Sequence, residues 1–149
     1  MRVDVFYGAS SLSSADVHGR VAVVIDVLRA STTIAVALTN GARSIIPFDS
    51  AEEAITRSKS FERGEYKLAG ERKNLMIPGF DLGNSPSDYT REAVEGRSIL
   101  FTTTNGTGAL VAVQGAREVL VGAFVNCSVV SAMLRAAVRS GSDVANSES

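Results

Sequence analysis

Residues 21–41 read Val-Ala-Val-Val-Ile-Asp-Val-Leu-Arg-Ala-Ser-Thr-Thr-Ile-Ala-Val-Ala-Leu-Thr-Asn-Gly, and the reading of this stretch decides the fold class. Val21 to Ile25 is a continuous apolar, mostly β-branched run, the pattern of a strand covered on both faces in a parallel sheet. Ile34, Ala35, Ala37 and Leu38 then recur at helical spacing, with Ser31 or Thr32 as candidate N-cap and Gly41 as the residue beyond the helix end. Outward from this unit the same alternation continues. Val3 to Phe6, Ser44 to Phe48, Tyr66 to Ala69, Ser98 to Thr102 and Glu118 to Val121 read as strands. Helices are expected from Ala51 to Ser60 behind the Ser50/Glu53 capping box, from Ser85-Pro86 to Glu95, from Asn105 to Gly115, and after Asn126 or Ser128. The last carries a stripe of Val129, Val130, Met133, Leu134 and Ala137. Strands alternating with helices predict an α/β fold, a three-layer α/β/α sandwich with a mainly parallel or mixed sheet.

Composition bounds the function. At 149 residues the chain has the length of one domain, able to bury roughly 70% of its unfolded surface. Fifteen Lys and Arg against 16 Asp and Glu leave a net charge of −1, so there is no basic footprint for nucleic acid or a membrane surface. A single cysteine excludes an internal disulfide and a thiolate metal cluster, which fits a reducing compartment. Met1 to Gly8 lacks an apolar signal core, and no run approaches a membrane span, so the expected location is cytoplasmic.

Ligands of open α/β sheets sit beyond the carboxyl ends of the strands, where helix N-termini also point. Two junctions there are rich in polar residues. In the first, Asp26 precedes Arg29, Ser31, Thr32 and Thr33. Free amides, the helix dipole and hydroxyls form a natural anion site, Arg29 can add a bidentate clamp, and Asp26 offers a hard oxygen for a divalent cation or a base. The second junction runs Thr102-Thr103-Thr104-Asn105-Gly106-Thr107, and Phe124 to Ser128 is a weaker copy. Ser, Thr and Asn are also ordinary capping residues, so each junction alone has two readings. Between them Gly70 to Ser85 is too long for a simple connection, which points to a functional loop. Its acids Glu71 and Asp81 either face solvent or join Asp26 around Mg²⁺; their spacing leaves both open.

Missing motifs narrow the chemistry. There is no Gly-x-x-x-x-Gly-Lys-Ser/Thr loop, and the dinucleotide fingerprint fails because Val111 stands where a third glycine belongs after Gly106 and Gly108. His18 is the only histidine and lies in a turn-like stretch, which disfavours serine–histidine chemistry. Cys127 at a helix start has no Cys-x5-Arg loop around it, and Leu28 occupies the position where an aspartyl-phosphatase loop needs its second acid.

Four blocks then carry a resemblance: Asp26 to Thr33, Gly70-Glu71-Arg72, Gly79 to Pro86 (Gly-Phe-Asp-Leu-Gly-Asn-Ser-Pro) and Thr103 to Thr107. In order and spacing the chain resembles the 2-phosphosulfolactate phosphatase family of coenzyme M biosynthesis. The resemblance implies an Mg²⁺-dependent phosphoric monoester hydrolase that converts 2-phospho-3-sulfolactate to 3-sulfolactate and phosphate. It assigns Asp26, Arg29, Glu71 and Asp81 to catalysis, with Asp26, Glu71 and Asp81 as metal ligands. Ser31, Thr32, Thr33, Arg72, Asn84, Ser85, Thr104, Asn105, Gly106 and Thr107 are assigned to the anionic substrate. Family members run on beyond the last matched helix, so residues 1–149 are expected to be the front portion of one phosphatase-type α/β domain. A further strand is expected to begin at Ser142-Asp143-Val144, and residues 145–149 read as a tail. An open sheet edge left by this would favour a homo-oligomer. The alternative reading is a non-catalytic binding domain for a small phosphorylated or sulfonated metabolite.

Overall fold

The computed structural model describes residues 2–140 and the backbone of residues 144–148. In chain order the strands are β1 (Val3–Tyr7), β2 (Val21–Ile25), β3 (Ser44–Pro47), β4 (Tyr66–Arg72), β5 (Leu75–Met76), β6 (Ser98–Thr102), β7 (Glu118–Gly122) and β8 (Val144–Glu148). The helices are α1 (Ser14–Val17), α2 (Ala30–Thr39), α3 (Ala51–Ser58), α4 (Arg91–Val94), α5 (Gly106–Ala112) and α6 (Cys127–Arg139). The strands divide between two four-stranded sheets, β1-β8-β2-β7 and β3-β6-β4-β5. All pairings are parallel except the β4–β5 hairpin.

The apolar runs explain the layering. In β2 the side chains alternate between faces: Ala22 and Val24 pack on α2 and α5, while Val21 and Val23 pack with Leu120 and Ala137 on the α6 side. β6 does the same in the second sheet, with Ile99 and Phe101 turned to α2 and α5, and Leu100 turned to Ala54 of α3 with Ile77 and Phe80. Each sheet thus has helices on both faces, and the α2/α5 layer is shared between them. The expected α/β alternation and parallel pairing hold, distributed over two sheets.

Local chemistry sets the ends of these elements. Gly41, at φ 92°, ends α2 in a Schellman motif: its amide donates to Leu38 and the Ala42 amide to Ala37, at 3.1 and 3.0 Å. Ser50 caps α3 by accepting from the Glu53 amide at 3.1 Å. Gly70 has φ 147°, and a Cβ there would sit 1.8 Å from the Thr102 carbonyl oxygen, so no other residue allows β4 to approach β6 at this point.

Four expectations need correction. α2 starts at Ala30, before the expected caps, because Ser31 Oγ turns back to accept from the Asp26 amide at 2.9 Å. The Gly70–Ser85 stretch is not all loop: β4 runs to Arg72 and turns through Lys73 and Asn74, at φ 52° and 66°, into β5. The helix expected from Ser85 to Glu95 is broken at Tyr89 into a 3₁₀ turn, Pro86–Asp88, and the short α4 capped by Thr90. Tyr89 leaves the helical course to bury its ring edge-on against Phe101, 6.4 Å between centroids. Residues 145–148, read as part of a tail, instead continue β8 in the slot between β1 and β2, where its backbone pairs on both sides.

Candidate functional site

β2, β4 and β6 direct their carboxyl ends to one place. There a cleft of about 140 Å³ is lined by Asp26, Leu28, Arg29, Glu71, Lys73, Asn74, Asn84, Thr104 and Asn105. Asp26 enters it directly after β2. Its carbonyl accepts from the Ser31 amide at 2.9 Å, which wraps the chain into α2 around the acid; the Leu28–Arg29 peptide within this wrap is cis. Gly106 comes close from the other side, where a Cβ would stand 2.6 Å from Ala30 Cβ and 2.7 Å from Asp26 Oδ2. The glycine is what lets the α5 start touch the carboxylate.

Glu71 is buried and held at both oxygens. Oε1 accepts from the Thr104 amide at 2.7 Å; Oε2 accepts from the Asn74 amide at 2.7 Å and from Thr104 Oγ1 at 3.0 Å. It therefore joins the β4–β5 turn to the β6–α5 junction while lining the cleft. Asn84 is also buried; its carbonyl accepts from Thr33 Oγ1 at 3.4 Å, and its side-chain Oδ1 has no partner among the described residues.

Electrostatically the two acids diverge. Burial raises the Asp26 carboxyl above the usual carboxylate range, and the nearby Glu71 charge adds to this against opposing hydrogen bonds from the Ala30 and Arg29 amides. Burial also opposes the Glu71 charge, but the amide and hydroxyl donors of Thr104 and Asn74, helped by Arg72, outweigh it and hold Glu71 below that range. A pair of carboxyls pushed apart in this way is suited to opposite proton roles. Arg29 and Lys73 supply positive charge at the same cleft.

Of the residues singled out from sequence, Asp26, Arg29, Glu71, Asn84, Thr104 and Asn105 meet here, with Gly106 packed against Asp26. The hydroxyls of Ser31, Thr32, Thr33, Thr103 and Thr107 are spent on nearby backbone: Ser31 Oγ donates to the Val24 carbonyl of β2, Thr32 Oγ1 to Val27 and Thr33 Oγ1 to Asn84, and Thr103 and Thr107 bond each other's backbone at 2.9 to 3.1 Å. Arg72 reaches Thr102 Oγ1 at 2.7 Å and the Asp49 carbonyl at 2.9 Å, bracing the ends of β6 and β3. Ser85 Oγ lies 2.9 Å from Ser87 Oγ, outside the cleft lining.

Asp81 does not join the other acids. Its Oδ2 accepts from the Leu68 amide at 2.8 Å and Oδ1 lies 3.9 Å from Lys67 Nζ, so it fastens the loop back along β4 and lines a different hollow with Arg63 and Arg97. Among the described residues no three His, Cys, Asp or Glu side chains are grouped as a metal cluster. Lys73 and Asn74 were missed; two residues between the Gly-Glu-Arg block and an apolar pair are the length of a tight hairpin turn, and that spacing was the available signal.

The family model described as 2-phosphosulpholactate phosphatase matches residues 8–145. A relative in Caldanaerobacter subterraneus subsp. tengcongensis, named probable 2-phosphosulfolactate phosphatase, is 49% identical over 122 residues, covering 82% of this chain and 51% of that protein. Proteins of the same name from Clostridium beijerinckii and Symbiobacterium thermophilum are 42% and 50% identical, over 90% and 77% of this chain and 56% and 49% of their own lengths. The chain spans about half the length of the curated relatives it matches. Among the described residues no helix is long and apolar enough to cross a membrane. With the match covering nearly all of its residues, the chain belongs to the 2-phosphosulpholactate phosphatase family.

Proposed function

We propose that this chain carries the reaction centre of an Mg²⁺-dependent phosphatase that hydrolyses 2-phospho-3-sulfolactate to 3-sulfolactate and phosphate in the cytoplasm. The observation that supports the reading most is the meeting of Asp26 and Glu71, with opposite pKa shifts, beside Arg29 and Lys73 in one cleft at the strands' carboxyl ends. The names of the relatives supply the substrate.

The donor set suits magnesium, which takes one or two carboxylates, keeps waters and uses substrate oxygens for the rest. Asp26, the unpartnered Oδ1 of Asn84 and the remaining lone pair of Glu71 Oε1 would hold it. Burial raises Asp26 and the neighbouring Glu71 charge adds to it, so a second positive group beside them would favour the ionised pair. A ligand bearing phosphate, carboxylate and sulfonate adds more negative charge than Arg29 and Lys73 neutralise, so a cation is needed on charge balance alone. When bound, the ion would polarise a phosphoryl oxygen and lower the pKa of a coordinated water.

The chain's own residues do the rest. Arg29 and Lys73 bind and orient the anionic oxygens. Asp26, at the α2 start, is placed to take a proton from the attacking water and return it to the alkoxide as the phosphorus–oxygen bond breaks. Glu71, kept ionised by its amide donors, holds the Thr104 junction against the cleft. Phosphate release from 2-phospho-3-sulfolactate, with Mg²⁺ or with EDTA, for wild type and Asp26→Asn, tests the reading. Release only by wild type with Mg²⁺ is expected; equal rates in all four would refute it.

A further inference from the structure

β1 carries an apolar row that no described helix covers. Through β8 its residues stand in register with those of β2: Val3 with Val21, Val5 with Val23 and Tyr7 with Ile25. Residues in register across parallel strands point to one face of the sheet, so Val3, Val5 and Tyr7 lie on the face that α6 packs against. On β2 that face is closed, with Val21 and Val23 only 0% and 2% exposed beneath Val130, Leu134 and Ala137. On β1 it is open: Val3 is 47%, Val5 49% and Tyr7 83% exposed. A helix is roughly 10 Å across and strands lie about 4.8 Å apart, so one helix covers two strands. With α6 over β2 and β7, the layer has room for one more helix over β1 and β8.

The handedness of the connections says which chain would fill it. β7–α6–β8 moves across the sheet toward β1 and runs on this face. β1–α1–β2 moves the other way and runs on the opposite face, where Val17 packs with α2 and α5. The two have the same hand, as parallel crossovers do. β1 ends the sheet, and its outer edge pairs with no strand among the described residues. A chain passing from β8 to that edge with the same hand lays its helix on the α6 face, over β1. Passage to the far edge at β7 would instead need the opposite face, which α2 and α5 already fill over β2. The relatives supply a candidate chain, since about half of their length lies outside the part matched here.

We propose that the Val3/Val5/Tyr7 face is the seat of an amphipathic helix, leading to a parallel strand on the outer edge of β1, both belonging to the part of the relatives outside the match. This chain offers the same seat to that polypeptide in trans. The interface stands apart from the chemistry of the cleft, so neither reading depends on the other.

Co-expression tests it. The full chain, tagged, is produced together with the part of the Caldanaerobacter subterraneus subsp. tengcongensis relative that the match leaves uncovered, and the two are expected to copurify one to one. In a Cys127→Ser background, which removes the exposed thiol, Val5→Cys reports on the face through its rate of reaction with a charged maleimide. That rate should be roughly tenfold or more slower in the complex than in the chain alone, while Glu52→Cys, at an exposed position on α3, reacts equally in both. Val5→Asp should abolish copurification and leave the chain's thermal melt cooperative. No copurification, equal labelling at position 5 in complex and free chain, or a complex that survives Val5→Asp would overturn the proposal. Labelling at position 5 that slows as the chain alone is concentrated would overturn it as well, by showing that a second copy occupies the face.

Discussion

Replacing Tyr89 by phenylalanine tests how the loop carrying Asn84 is held. Tyr89 is 1% exposed; its hydroxyl donates to the Gly83 carbonyl at 2.5 Å, its own carbonyl accepts from Asn40 Nδ2 at 2.7 Å, and the next residue but four back is Asn84 at the cleft. Phenylalanine keeps the edge-on contact with Phe101 and removes only the hydroxyl, leaving the Gly83 carbonyl short of a donor. The cost is about 1–3 kcal/mol at neutral pH, which for a chain of this size lowers Tm by roughly 2–10 °C. The pH dependence makes the test sharper. Burial lifts the Tyr89 phenol far above the ordinary tyrosine value, so the folded state keeps the proton while the unfolded chain releases it near pH 10. A group whose folded pKa is raised gives stability that is complete below the unfolded pKa and is lost as pH rises toward the folded one. Wild type should therefore lose about 1.4 kcal/mol per pH unit above pH 10 from this residue alone, and Tyr89→Phe should lose none of it. Urea unfolding of both proteins at pH 7.5, 10 and 11 reads the gap. It should shrink between pH 10 and 11; a gap of constant size over that range refutes the buried, donating phenol.

Gly70→Ala should abolish folding, since a Cβ 1.8 Å from the Thr102 carbonyl cannot be accommodated without parting β4 from β6; a cooperative melt near the wild-type Tm would count against the β4–β6 register. Gly106→Ala is expected to cost about 1–3 kcal/mol by overpacking against Ala30 and Asp26, with a larger proportional loss of Mg²⁺ affinity in calorimetry than of stability in urea. Unchanged Mg²⁺ affinity in a folded Gly106→Ala protein would separate Asp26 from the metal. Asp4 is hydrogen-bonded to Arg20 at 2.7 Å, which holds its carboxyl below the usual range. The advantage of wild type over Asp4→Asn should be constant at neutral pH and vanish as pH falls below about 4 through the folded value, measured by thermal melts.

The parts of the fold legible in sequence are those where periodicity and burial agree. β2 reads as a doubly covered strand, and every residue in it but Ile25 is buried; Ser98 to Thr102 reads as a strand, and all of β6 is buried; Gly41 reads as a helix end, and its φ of 92° suits glycine. β5 was hidden because its turn uses Lys73 and Asn74 at positive φ, where a glycine would have signalled the hairpin. The helix broken at Tyr89 was hidden because a tertiary contact with Phe101 overrides local propensity. At the site, Asp26 was legible because it directly follows β2, whereas the place of Glu71, inside β4, was left open by its spacing. The hydroxyls were not: a serine such as Ser31 serves a ligand or its own loop with the same sequence, and only its 2.9 Å contact with the Asp26 amide shows which. Asp81 lies apart from these acids, its carboxylate accepting from the Leu68 amide at 2.8 Å, a contact its spacing does not foretell.

The central claim is that Asp26 and Glu71, without Asp81, form the metal and phosphate site. A crystal of the chain grown with Mg²⁺ and inorganic phosphate tests it most directly. The account predicts an ion with an Asp26 oxygen at about 2.1 Å, and a phosphate between it and the side chains of Arg29 and Lys73. An ion held by Asp81, with the Asp26 cleft filled by water alone, would contradict it.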